Sequence, residues 1–113
     1  MAASEELTLE RIGKNQSTFR AANENIDEVA EQTGLERGIP FLCECADPEC
    51  VEIVRLSVAE YAAIRRNPRW FLNAPGHEAI SVGAGAAVVV ETHPGHFVVE
   101  KTGIAGELAE REA

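Results

Sequence analysis

Apolar residues recur every seven positions early in the chain, at Ile12, Phe19 and Ile26, with Ala22 and Val29 three residues after the last two. This a/d-like spacing predicts an amphipathic helix over residues 4–33. Ser4 is its expected N-cap, Glu5 and Glu6 place negative charge in its first turn, and Gly34 can end it. Asn15 and Thr33 take the remaining stripe positions, and Gly13 weakens the start. The stripe fits two arrangements. The helix can pack on its own sheet, or it can form a helix–helix seam in which Asn15 would set the register.

Beyond Gly34 the period shortens. Residues 39–45 and 50–57 predict two strands joined by the turn Ala46-Asp-Pro-Glu49, a hairpin with cysteines at its tip. Val51, Ile53 and Arg55 face one way, and Glu52, Val54 and Leu56 the other. Ser57-Val-Ala-Glu60 is a capping-box pattern and opens a helix from Val58 to about Arg66, which Asn67-Pro68 ends. Residues 69–78 predict an irregular or briefly extended run, and 82–86 a flexible one. Residues 87–92 and 97–101 are β-branched strands around the turn His93-Pro-Gly-His96. The segments 1–5 and 103–113 are expected to be frayed, the latter at most weakly helical. The sum is a single α+β domain over 1–113. It has a long N-terminal helix and a small antiparallel sheet of two hairpins with a short helix between them.

Composition narrows the function. A chain of 113 residues with 45% hydrophobic and 5% aromatic positions has a thin core, so a structural metal would add useful folding free energy. Nineteen acids against ten bases give a net charge of −9, which repels nucleic-acid backbones and anionic membranes. The one basic cluster, Arg65, Arg66 and Arg69, fits a helix C-terminus. No apolar run is long enough to span a bilayer, and the acidic start lacks the apolar core of a signal peptide, so the expected location is the cytoplasm.

The candidate chemistry sits in Phe41-Leu-Cys-Glu-Cys-Ala-Asp-Pro-Glu-Cys50, which holds all three cysteines with the spacing C-x-C-x4-C. In a reducing compartment, such clustering points to a metal rather than a disulfide. Alternation places Cys43 and Cys45 on one face, with Glu44 pointing away, and the Asp47-Pro48 turn returns Cys50 beside them. A tetrahedral zinc site needs a fourth donor. His77, on the turn Pro75-Gly-His-Glu78, is the leading candidate, with His93 and His96 as rivals; the place of Asp47 is explained by turn chemistry alone. The metal ligands are therefore expected to be Cys43, Cys45, Cys50 and His77, holding one Zn2+ per chain.

Three functions fit such a site. The expected one is a non-catalytic structural-zinc module that acts through protein contacts. The N-terminal helix would bind a protein partner or a second copy. The first alternative is a zinc–thiolate redox sensor. Cys43 and Cys45 are poorly placed to pair with each other, because their Cα atoms lie about 6.5–7 Å apart in an extended strand, but Cys50 could pair with either. The second alternative is a zinc-dependent, deaminase-like hydrolytic enzyme with Glu78 as general base. The deaminase signature places H-x-E before P-C-x-x-C, whereas this chain has the opposite order and no C-x-x-C. Three thiolates would also weaken zinc as a Lewis acid. Neither a Walker loop nor a dinucleotide fingerprint is present.

Together, Asn15–Ile26, Phe41–Cys50, Leu56-Ser-Val-Ala-Glu-Tyr61, Pro75-Gly-His-Glu78 and Phe97-Val-Val-Glu-Lys101 resemble a group of small uncharacterised bacterial proteins, mostly of actinobacterial type. The resemblance implies that the C-x-C-x4-C and PGHE elements belong together. It implies no activity. The segment 79–87 is more Gly- and Ala-rich, and less charged, than that group would suggest.

Overall fold

The computed structural model describes residues 2–112. Helix α1 (Ala2–Thr33) is followed by β1 (Ile39–Leu42), β2 (Ile53–Leu56), α2 (Val58–Arg65), β3 (Trp70–Asn73), α3 (Ala79–Gly83), β4 (Ala87–Thr92), β5 (Phe97–Lys101) and α4 (Gly103–Glu112). The fold is α+β with a long N-terminal helix, as the periodicity predicts. It contains two antiparallel sheets rather than the single one expected. One is the β1-β2 hairpin; the other has the order β3-β5-β4. The difference lies in Trp70–Asn73, too short to show a period of its own. It becomes a strand by pairing with β5, Phe71 opposite Val99 and Leu72 opposite Val98, and both of its central side chains are buried. β4 and β5 form where the sequence places them, with a bulge between Val89 and Glu91.

The β1-β2 ladder also stops early. Its last strand pair is Leu42 with Ile53, and Cys43 adds one further bond to Glu52 O at 3.0 Å. The next residue changes partner: Glu44 N–H donates to Leu72 O at 2.7 Å, on the second sheet. The segment after β1 thus crosses from one sheet to the other. Within the hairpin, Val54 and Leu56 are buried and Ile53 and Arg55 are exposed, following the alternation of the sequence. The capping box at Ser57 and Glu60 is formed from both sides, with Glu60 N–H on Ser57 Oγ and Ser57 N–H on Glu60 Oε1.

Helix α1 departs most from the sequence pattern. Among its described side chains the buried positions are Gly13, Gln16, Arg20, Asn23 and Ala30, one step off the apolar stripe. Phe19 and Ile26 are half-buried and Val29 is 57% exposed. α1 begins at Ala2, so Ser4, expected to cap it, lies inside its first turn, and residues 2–5, expected to be frayed, are helical; the side chains of Ser4, Glu5, Glu6 and Ile12 lie outside the described residues. The reason is what α1 packs against: strand-end and loop backbone that needs hydrogen-bond partners, rather than a continuous apolar face. The Asn23 amide pairs with Leu42 as a neighbouring strand would, accepting from its N–H at 2.7 Å and donating to its C=O at 2.8 Å. The Arg20 guanidinium donates to Pro68 O and Trp70 O. Burial pulls the Arg20 pKa down to about 10.

The segment from Gly103, expected to be frayed or weakly helical, is helix α4, packed along α1. The two helices cross where Gly13 meets Ala105 and Leu108; a Cβ at Gly13 would lie 3.1 Å from Leu108 Cδ2. Lys101, fully buried, donates from Nζ to Gly13 O at 3.2 Å. Its ammonium and the Arg20 guanidinium both lie over the Phe71 ring, at 3.4 and 3.7 Å from its centroid. Of the basic cluster, Arg65 pairs with Glu24 of α1, and Arg69 with Glu110 of α4 at 2.6 Å.

Candidate metal centre

Two turns and one strand end build the site. Asp47 Oδ1 accepts from Glu49 N–H at 2.9 Å and Asp47 O from Cys50 N–H at 3.2 Å, so the Asp-Pro turn brings Cys50 back towards Cys43 and Cys45. The second turn closes with His77 N–H on Ala74 O at 3.0 Å and has Gly76 at a φ of 91°. That positive φ falls at the third position of a β-turn, where glycine is favoured. The turn holds the His77 ring against Cys50, with Nδ1 3.4 Å from Sγ.

The sulfurs of Cys43, Cys45 and Cys50 and one ring nitrogen of His77 all lie within 4.8 Å of one another. These are the four residues singled out from the sequence. Cys43 and Cys45 are buried, while Cys50 and His77 are half-buried. A zinc tetrahedron with Zn–S bonds of about 2.3 Å has sulfur–sulfur edges of about 3.8 Å, so closing on an ion needs inward shifts of about 1 Å or less. Three sulfurs and an imidazole are a borderline-soft donor set, which suits a tetrahedral transition-metal ion. Cys43 Sγ also accepts a hydrogen bond from Ala74 N–H at 3.2 Å, an outer contact that ties the sulfur to the end of β3.

The thiols share protons as a unit. The Cys45 thiol is pulled down to about 5, first by the hydrogen bond it accepts from the Cys43 thiol; His77 and the Asp47 backbone add to this. The Cys43 thiol is pushed up, first by that same bond, which holds its proton, and then by burial. At Cys50, by contrast, burial is the leading cause of the rise. Three sulfurs this close cannot all be thiolates unless a cation neutralises them.

Glu44 does point away from the sulfurs, but into the core. It is fully buried. Its Oε1 accepts from Leu72 N–H at 2.8 Å, and its Oε2 from Asn23 Nδ2 at 2.9 Å and from the Tyr61 hydroxyl at 2.7 Å. Tyr61 is in turn stacked on Phe41 at 4.2 Å. One carboxylate thus joins α1, α2 and β3 directly behind the two cysteines that flank it. Asn15 Nδ2 adds a bond to Ala46 O at 3.1 Å, so α1 holds the cysteine loop at Leu42, Glu44 and Ala46. Sequence reasoning missed this support. A charged residue alternating with two buried cysteines was the available signal.

The other candidates lie apart from the cluster. His93 and His96 stack on each other with ring centroids 4.4 Å apart, and His93 Nε2 sits 3.0 Å from Glu91 Oε1. Glu78 is not among the donors; its Oε2 is enclosed with no hydrogen-bond partner among the described residues. No helix among the described residues is long and apolar enough to cross a membrane.

Comparison of the chain with protein-family models, with curated proteins and with solved structures finds no match.

Proposed function

We propose that this chain is a small structural-zinc protein that acts without catalysis, as a protein-interaction or regulatory module. The observation that carries this reading is the convergence of three sulfurs and one imidazole nitrogen within 4.8 Å. Four protein donors complete a tetrahedral shell and leave no position for a substrate or a reactive water, as in closed structural zinc sites. The ion would be held by Cys43, Cys45, Cys50 and His77. It would supply the charge that lets the thiolates sit together and would fasten the cysteine loop to the Pro75–Glu78 turn. For a thin-cored chain, such binding adds directly to folding free energy.

The partner surface we assign is the C-terminal part of α1. Ile26, Val29, Ala30, Leu35, Ile39 and Pro40 line an apolar groove of about 260 Å³ there. A protein segment fits it better than nucleic acid or an anionic membrane, because the chain carries a net charge of −9. We place the protein in a reducing cytoplasm, where such thiols stay free to bind metal. On its Phe41–Cys50 and Pro75–Glu78 motifs we group it with the small actinobacterial-type proteins it resembles.

The test is metal analysis of protein purified without added metal or an affinity tag, beside the same analysis of His77→Ala. One zinc per chain, lost or weakened in the variant, is expected. Metal-free protein with three titratable thiols would overturn the proposal. A second reading, a zinc–thiolate redox sensor, draws on Cys50, which is half-buried while Cys43 and Cys45 are buried. It requires mild oxidant to expel zinc from the folded protein.

A further inference from the structure

β4 is the outer strand of the sheet ordered β3-β5-β4, and its far edge has no neighbouring strand among the described residues. Two backbone bonds show which groups stand on that edge. Lys101 N–H donates to Arg69 O at 2.7 Å, on the β3 side, and Thr102 N–H donates to Ala86 O at 2.8 Å, on the β4 side. Ala87 lies opposite Lys101 and Val89 opposite Val99. Antiparallel alternation then turns the N–H and C=O groups of Ala87 and Val89 outward, to the open edge. The other edge is closed, because Leu72 of β3 gives its N–H to the Glu44 carboxylate and takes the Glu44 N–H on its carbonyl.

The side chains at the open edge are apolar and exposed. Val88, Val89 and Val90 are 48, 39 and 37% exposed, and on the preceding helix α3 Ile80 and Val82 are 52 and 40% exposed. From Ala79 to Val90 no residue is charged, in a chain of net charge −9. Open edge strands are ordinarily guarded by charge, proline or a bulge. Here the bulge at Val90 comes only after the exposed groups of Ala87 and Val89.

We propose that this edge pairs with the same edge of a second copy, β4 antiparallel to β4, across a two-fold axis at Val89. A two-fold contact must be self-complementary, and this one is. Val89 of one copy exchanges its outward N–H and C=O with Val89 of the other. The bulge between Val89 and Glu91 confines the regular pairing to Val89 and its neighbours, and the two Glu91 side chains fall on opposite sides of the axis, so no like charges meet. A register centred on Glu91 would set two carboxylates against each other. The remaining acidic surface repels, so association strengthens as salt screens it.

The experiment is sedimentation of the full chain from about 10 µM to 1 mM, the range of weak self-association, with the variants Val89→Glu and Val89→Lys. Wild type is expected to dimerise, more tightly at high salt. Each variant alone is expected to be monomeric, because the substituted side chains face their own copies across the axis. An equimolar mixture of the two is expected to recover the dimer. Metal content and melting temperature of each variant serve as the control for folding and are expected to match wild type, which keeps this test separate from that of the zinc reading. A wild type that stays monomeric to about 1 mM overturns the proposal and leaves the edge to a partner of another kind. So does a single variant that dimerises like wild type, or a mixture that stays monomeric.

Discussion

Replacing Glu44 by Gln keeps the side chain's shape and removes its charge. The carboxylate accepts three hydrogen bonds, from Leu72 N–H on Oε1 and from Asn23 Nδ2 and Tyr61 Oη on Oε2. A glutamine amide has one oxygen. Its better orientation keeps that oxygen towards Asn23 and Tyr61 and turns the NH2 towards the Leu72 N–H, so two donors face each other in a buried site. Each buried donor left without a partner costs about 1–3 kcal/mol, and the two retained bonds lose their charge assistance at about 1 kcal/mol each. With two donors unpaired, the sum is about 4–8 kcal/mol, a large share of the roughly 5–15 kcal/mol that stabilises a domain. At about 4 °C per kcal/mol for a chain of this size, the melting temperature should fall by about 16–32 °C. Urea unfolding of zinc-loaded protein measures the effect. A cycle with Tyr61→Phe then tests whether the two residues act as one network. Because Glu44 sits between Cys43 and Cys45, zinc affinity should fall as well. A Glu44→Gln protein within about 1 kcal/mol of wild type would refute the view that this carboxylate holds the cysteine loop.

Three further outcomes are expected. Cys43→Ser, Cys45→Ser and Cys50→Ser should each lower the melting temperature of zinc-loaded protein sharply, since structural zinc contributes on the order of 10 kcal/mol; three variants that melt like wild type would exclude the structural site. Gly106→Ala should destabilise by about 1–3 kcal/mol in chemical unfolding, because the added Cβ would lie 2.7 Å from Lys101 O and also strike the Arg69 guanidinium; an unchanged midpoint would show that α4 does not pack closely there. His96 titrates below its ordinary 6.5, first because it is buried and then because His93 is stacked on it, with Glu60 and Glu91 opposing. The unfolded state therefore binds its proton more readily, so stability is greatest above pH 6.5 and declines as pH falls through the folded value. His96→Gln should flatten that part of the stability–pH curve, and an unaltered slope would assign the effect elsewhere.

Short-range patterns carry much of this molecule. The strands Ala87–Thr92 and Phe97–Lys101, the turn between them and the capped start of α2 are set by β-branched runs, Pro-Gly punctuation and a hydroxyl–carboxylate pair three residues apart. The cysteine cluster is of the same kind, because alternation along the short extended run after β1 and one Asx turn bring three sulfurs together within 43–50. His77 was legible as the leading candidate from its turn, yet only folding decides which histidine meets the sulfurs: the rivals His93 and His96 sit on a Pro-Gly turn of their own and meet each other instead.

Tertiary structure decided what α1 and β3 do. The heptad stripe marks α1 as a helix but not the face it buries. Asn23 reaches Leu42 across 19 residues and Arg20 reaches Pro68 across 48, bonds between side chain and backbone that leave no periodic trace. β3 exists because β5 pairs with it, and Glu44 became the centre of the core because α1, α2 and β3 close around it. Periodicity, capping and turn chemistry act over a few residues and are written into the order of the chain. The need to satisfy buried polar groups acts between segments far apart in sequence, so it takes effect only once those segments have met.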